Sequence, residues 1–401
     1  MRIVISHESF ESFAGTETYM LTVAQQLEWL GHDAVIYAHR TGPMADFARS
    51  QGVRATESVA ELPETCDAVL AQDAGSAFEL AARYPSAMCV FVAHSRGYAL
   101  QIPPQLDGVC QAIVVLNERV RRFVEHLSFH APVVRLHQPI DLGRFGPLGR
   151  DPAEPRSALV LGNWVHRTQA RLIEDACRQL GWDVSWAGSQ TETTTRPEHA
   201  IADADLVIGL GRCVLEAMAG RRAAFVYGVA GGDGWVTPGN YSALEADGFS
   251  GQVSGVLRDR DTLVSQLREW NADMGHDNRA LASANHGALN HAMELIELVR
   301  EVAVPDRGPQ LHAEEFARLV RLEWQAQARF AGAEQNNFAL RERLDEAERD
   351  ATRSHALVDA HAKALDEANT RLQDVLATRR YRLACRIAAP LDALRTSFRE
   401  P

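Results

Sequence analysis

A chain of 401 residues with a single lysine is unusual, and that lysine, Lys363, lies in a charged, helix-prone stretch far from every strand-turn-helix unit. A Walker-type phosphate loop needs its lysine, as does pyridoxal phosphate held as a Schiff base, so both chemistries are excluded and arginine must carry any phosphate clamp. Cysteine is also scarce. Cys66, Cys89, Cys110, Cys177, Cys213 and Cys385 are widely scattered, with no close pair suggesting a metal site or redox couple, and read as buried thiols in a reducing compartment. No apolar run approaches the roughly 20 residues that span a bilayer as a helix. Met1–Ser6 holds one arginine and a short β-rich run rather than an export signal, so a cytoplasmic protein, soluble or peripheral, is expected. Cationic surface is lacking too: the formal charge of −12 argues against a nucleic-acid partner, which demands displacement of phosphate counterions.

What is present is ordinary globular material, 46% apolar and 23% charged, enough for two or three domains. β-rich apolar runs at Arg2–Ser6, Ala34–Ala38, Ala68–Ala71, Met88–Ala93, Ala112–Leu116 and Val133–Leu136 alternate with helical patterns, which predicts a parallel sheet wrapped by helices. Met20, Val23, Ala24, Leu27 and Leu30 recur at helical spacing, and Gly31 is a stop signal. A Pro- and Gly-bearing stretch, Pro139–Pro155, interrupts the alternation, and a second set of strands follows at Leu159–Leu161, Val184–Trp186, Leu206–Ile208 and Ala224–Tyr227. The expected fold class is therefore α/β with two Rossmann-like, doubly wound domains over residues 1–145 and 156–277. A crossover helix at 278–304, a helical arm at 310–378 and a basic tail at 379–401 complete the reading.

Five segments carry a family resemblance. Phe13-Ala14-Gly15-Thr16-Glu17 opens the first helix, which closes into Gly31-His32-Asp33-Ala34-Val35. Val90-Phe91-Val92-Ala93-His94 is a strand ending in histidine, and Pro139-Ile140-Asp141-Leu142-Gly143-Arg144-Phe145 is a linker motif. Leu159-Val160-Leu161-Gly162-Asn163 opens the second alternation, and the most specific segment runs from Ala204 through Leu215-Glu216-Ala217-Met218-Ala219-Gly220. Over residues 1–300 these resemble the bacterial GT-B glycosyltransferases of retaining family four. The resemblance implies transfer of a sugar from a nucleotide-diphosphate donor to a hydroxyl of a surface glycan or lipid-linked saccharide, with retention and with no resident cofactor. It implies that Glu216 takes the ribose hydroxyls and that His94 is the catalytic contact to the donor sugar.

Elementary chemistry bears on the same positions. A diphosphate needs converging N–H donors and positive charge, and a helix N-terminus after a glycine turn supplies donors and a favourable dipole; the resemblance implies Gly15 and Thr16 on one side, and Asn163, Arg167 and Arg212 on the other, as the nucleotide-sugar contacts. Each also has a plain structural reading: Gly15 as a turn, Glu216 as a dipole-favouring first-turn acid, Arg167 as an exposed arginine, His94 as a strand-end histidine. Gly231-Gly232-Asp233-Gly234 is expected to be a cleft-facing loop, with Gly232 and Asp233 as sugar contacts. No carboxylate pair stands out beside the phosphate site, so no metal is expected. The family pattern is Glu-x7-Glu, and here its first position is Ile208, which alters donor handling or, in a non-catalytic binding or scaffold module, removes it.

Beyond Pro309 the chain turns charged and alanine-rich. With Phe316 as position a, an a/d ladder runs through Leu319, Glu323, Ala326, Phe330 and onward to Val375, the spacing of a coiled coil with another copy or a partner; a helix folded back on the body is the alternative. From Ala377 onward six arginines stand against Asp392 and Glu400, a net of +4, and Tyr381-Arg382-Leu383 resembles a tail of bacterial surface-glycan transferases. Peripheral contact with an anionic membrane is expected there.

Overall fold

The computed structural model describes residues 1–127, 131–147, 149, 151–162, 167–188, 196–229, 231–302, 313–384 and 386. Its strands are β1 (Arg2–Phe10), β2 (Asp33–Thr41), β3 (Ala55–Thr56), β4 (Ala68–Ala71), β5 (Met88–Ala93), β6 (Ala112–Val115), β7 (Val133–Arg135), β8 (Ser157–Leu161), β9 (Asp183–Ala187), β10 (Leu206–Gly209), β11 (Ala223–Gly228) and β12 (Gly231–Trp235). The helices are α1 (Gly15–Trp29), α2 (Pro43–Ser50), α3 (Ala74–Arg83), α4 (Glu118–Glu125), α5 (Arg167–Leu180), α6 (Pro197–Asp203), α7 (Arg212–Ala219), α8 (Tyr241–Ala246), α9 (Arg260–Leu267), α10 (Met274–Asn285), α11 (Ala288–Glu301) and α12 (Ala313–Ala377).

Strands β4 and β5 are unbroken apolar runs, buried at every residue, as strands covered on both faces must be. They belong to a seven-stranded parallel sheet ordered β3-β2-β1-β4-β5-β6-β7, in which the strand order reverses between β1 and β4. The second sheet is ordered β12-β11-β10-β8-β9 and reverses between β8 and β10. Such reversals open a crevice at the carboxyl ends of the strands, where ligands of doubly wound sheets bind. Head residues of α1 and α7 follow β1 and β10 directly and so stand at these two crevices.

Two departures from the sequence reading have clear causes. Gly231–Gly234, expected as a loop, lies in the edge strand β12, paired antiparallel to β11 with a bulge at Val226/Tyr227. A Cβ on Gly232 would lie 2.4 Å from Tyr227 Cδ2, so only glycine fits against the bulge, and the run of glycines that suggests a turn is instead a close backbone approach. The crossover segment, expected as one helix, is two. The Ile140 amide donates to the His286 carbonyl at 2.8 Å, extended Gly287 precedes α11, and the Ala288 amide donates to the Ile140 carbonyl at 3.1 Å. The two passages of chain between the lobes are thus hydrogen-bonded to each other.

Helix α11 packs against α1 on one face of the first sheet, with Ala292, Leu295, Ile296 and Val299 in the core there. On the opposite face, Val4 of β1 and Val35 and Tyr37 of β2 share one core with α3 and with the first turns of α12. Ala317 is buried, Val320 and Trp324 pack into the same cluster, and Phe316 stacks on Phe78 at 5.9 Å. Arg40 lies over the Trp324 ring at 4.8 Å. This docked stripe, 317-320-321-324, is offset by one residue from the a/d ladder, whose Leu319 is 48% exposed, so in these turns the helix folds back on the body. From Gln325 the chain belongs to a separate unit, in which the helix runs on to Ala377 with its apolar side chains exposed.

Arg321 meets buried Glu8 (3.4 Å) and also Glu79, while Glu8 Oε2 has no hydrogen-bond donor. Burial raises the Glu8 carboxyl above its ordinary value, with Asp73 adding to the rise. Removing the guanidinium by Arg321→Met is expected to cost about 1–3 kcal/mol, since it strands a desolvated carboxylate, and Glu8→Gln should recover part of the loss. Urea denaturation of the unaltered chain, the two single variants and the double variant checks this; additive effects would mean the pair is not coupled.

Candidate active site

The site is built around the head of α7. Gly211 adopts φ +62° between β10 and the helix, a left-handed turn that favours glycine, and it directs the first residue, Arg212, toward the other lobe. Arg212 and Glu216 are one turn apart on α7 and nearly buried, at 9% and 8% side-chain exposure. Arg212 Nε donates to Glu216 Oε1 at 2.9 Å, Nη1 to the Pro139 carbonyl at 3.0 Å and Nη2 to Thr22 Oγ1 of α1 at 3.3 Å. One guanidinium therefore joins the second sheet's crevice, the linker and the first lobe. Burial pushes the Glu216 carboxyl up and the Arg212 guanidinium down, and in each case the partner's charge opposes the shift. Arg144, from the linker motif, adds a second positive charge acting on Glu216 while pairing with Glu198 at 2.9 Å.

Across from this pair stands the carboxyl edge of the first sheet. His94 follows β5 and its Nε2 is 2.5 Å from Gln72 Oε1, with its ring edge-on to Tyr19 at 4.8 Å. Burial, together with the charges of His7, Arg212 and His291, pushes His94 down to about 3, so it is a neutral imidazole at physiological pH. Thr16 Oγ1 accepts from Gln101 Nε2 at 3.4 Å, and a Cβ on Gly15 would meet nothing within 4 Å, so the head of α1 is open. Tyr19 continues inward: its hydroxyl is 2.9 Å from His291 Nε2, and His291 Nδ1 is 2.9 Å from the His137 carbonyl of the linker.

Of the residues singled out by sequence, Arg212 thus acts on both Glu216 and His94, with Gly15 and Thr16 at the head of α1. Asn163 and the side chain of Arg167 lie outside the described residues, as do Cys385 and residues 387–401 of the basic tail. Gly232 and Asp233 lie on β12, where Asp233 accepts the Ser254 amide at 2.7 Å and Gly232 O accepts Ser254 Oγ at 2.8 Å, which fastens the segment after α8 to that strand. Ile208 is fully buried in the core of the second sheet, so this position offers no group to a donor sugar. Sequence reasoning missed Thr22, Gln72, Tyr19 and His291. Tyr19 is inside an apolar helical pattern and His291 is 272 residues away, so only a tertiary contact distinguishes them from core.

One further cluster has the composition of a metal site. His137, Glu245 and His286 present atoms within 4.8 Å of one another. Its members are hydrogen-bonded within the fold: Glu245 to Arg135 and to His137 at 2.9 Å, His286 to Tyr241 Oη and the Gln138 carbonyl, both at 2.8 Å. The cluster is a polar knot tying α8 and the crossover to the linker.

No protein-family model matches the chain, and no curated protein sequence does. Among solved structures, 75% of the chain aligns with 100% of Anabaena Alr3699/HepE in complex with UDP and glucose, at 12% identity and a TM-score of 0.52. TarM aligns over 75% of this chain and 99% of its own at 9% identity and a TM-score of 0.48, and Acinetobacter baumannii MurG over the same shares at 13% and 0.45. The likeness to HepE is one of fold: the paired doubly wound sheets are the GT-B architecture.

The buried histidines make stability pH-dependent. Burial lowers His286 to about 4 and His291 to about 3, beside His94 at about 3, whereas an unfolded histidine titrates near ~6.5. Below that value the unfolded chain binds protons that the folded chain refuses, so stability is complete above pH ~6.5 and is lost as pH falls toward 4. Urea midpoints measured from pH 7.5 to 4.5 should fall accordingly, and His286→Gln should flatten the slope; an unchanged slope would contradict the neutral assignment.

Proposed function

We propose that the chain is a nucleotide-sugar-dependent glycosyltransferase, moving a glycosyl group from a nucleoside-diphosphate donor on the second lobe to a hydroxyl of a surface glycan or lipid-linked saccharide on the first. The observation that carries this reading is the Arg212–Glu216 pair at the strand-order reversal of the second sheet, reaching Thr22 of the opposite lobe. A GT-B fold shared with a protein crystallised with UDP and glucose supports it.

In this reading the ribose hydroxyls donate to Glu216 and compete with Arg212 for its carboxylate. Arg212, drawn off, turns to the diphosphate, where the dipole of α7 adds to its charge. Catalysis is then positioning plus stabilisation of the leaving diphosphate, with the configuration at the anomeric carbon retained and no covalent protein nucleophile. His94, being neutral, offers the donor sugar a hydrogen bond rather than a charge.

A second reading is favoured by one observation. Buried Ile208 removes the family's first glutamate from the cleft, which suits a module that binds a nucleotide sugar or a partner enzyme without turning it over. Titration calorimetry against a panel of nucleotide sugars, followed by hydrolysis and transfer assays, separates the two: binding without turnover on any donor and acceptor supports the module. Under either reading Glu216→Ala should weaken nucleotide binding by about 1.5–3 kcal/mol, the worth of charge-assisted hydrogen bonds. Unchanged affinity in a folded variant would remove Glu216 from the ribose site.

A further inference from the structure

The helix beyond the docked turns is long, solvated and patterned. From Gln325 to Ala377 it extends about 80 Å at 1.5 Å per residue. Along it Phe330, Leu344 and Leu365 are 66%, 59% and 65% exposed. Isolated helices gain little from their own hydrogen bonds in water, so an element of this length needs an apolar partner.

The period of the exposed side chains identifies the partner as a helix. An apolar 3.5-residue repeat continues from Ala326 to Val375, about seven heptads, broken only at Asn337, Ser354 and His361. A straight helix drifts about 20° per heptad from such a repeat, so the stripe would wind well away from any flat surface. Two supercoiled helices follow it throughout.

Charge identifies which helix. In a parallel, in-register pair, each g position faces the e position five residues later on the other chain. Arg329 then faces Glu334, Arg343 faces Glu348 and Asp350 faces His355, and every remaining g–e combination over this stretch includes an uncharged residue. No like charges meet. Asn337, at an a position, faces its own equivalent, an arrangement available to aligned, parallel copies. We infer that residues 325–377 form a parallel, in-register two-stranded coiled coil with a second copy of this chain.

Light scattering of the full chain should give the mass of two chains; a mass of one, or of three or more, overturns the proposal. Arg343→Glu places like charges at two symmetric contacts and should weaken association about threefold to tenfold at low salt. Arg343→Glu combined with Glu348→Arg should restore it, because the pair is reformed with its signs exchanged. These positions are five apart and do not face each other within one helix, so rescue reports the contact between chains. A single variant without effect, or a double variant that stays weak while helix content by circular dichroism is unchanged, contradicts the parallel register.

Discussion

A guanidinium taken out of water must find acceptors, and Arg212 finds them on three different parts of the chain. Glu216 belongs to its own helix, Pro139 to the linker and Thr22 to the first lobe. A buried arginine left short of partners costs several kcal/mol, which gives each of these contacts a hold on the others. The relative placement of α7 and α1, and with it the cleft they border, follows from that requirement. Any ligand that claims Glu216 must offer Arg212 a replacement anion, and a nucleoside diphosphate carries both the hydroxyls and the charge to do so.

The linker has its own polar accounting. Glu245 contrasts with Glu216: despite burial, bonds from His137 and Arg135 hold it below its ordinary range. His286 and His291 use both ring nitrogens, toward Tyr241 and Tyr19 on one side and linker carbonyls on the other. Neutral imidazole, with one donor and one acceptor, suits such paired contacts. Tyr19 completes a path of contacts from the linker to His94 at the cleft.

Much of this architecture was legible in the residues. Unbroken apolar runs such as Met88–Ala93 identify buried parallel strands, and the apolar run to Gly209, the Gly211 turn and the following helix appear where the Leu-Glu-Ala-Met-Ala segment suggests. What failed was decided by backbone pairing and tertiary contact rather than by local pattern. Gly231–Trp235 becomes a strand because β11 offers a bulged edge, and the crossover breaks at Gly287 because Ile140 competes for its backbone. In α12 the ladder from Phe316 and the docked stripe from Ala317 differ by a single residue, and only the apolar cluster formed by β1, β2 and α3 selects between them. Pairing of Arg212 with Glu216 at i and i+4 is visible in the sequence; its reach to Thr22 is not.

The central claim is that a nucleoside diphosphate is held at the head of α7, between the lobes. Hydrogen exchange of the full chain, read by mass spectrometry with and without a panel of nucleoside diphosphates, tests it most directly. A bound nucleotide should slow exchange in residues 209–220, and in 14–22 as the first lobe engages the same ligand. Slowed exchange confined to other segments, or none with any nucleotide, would contradict the account.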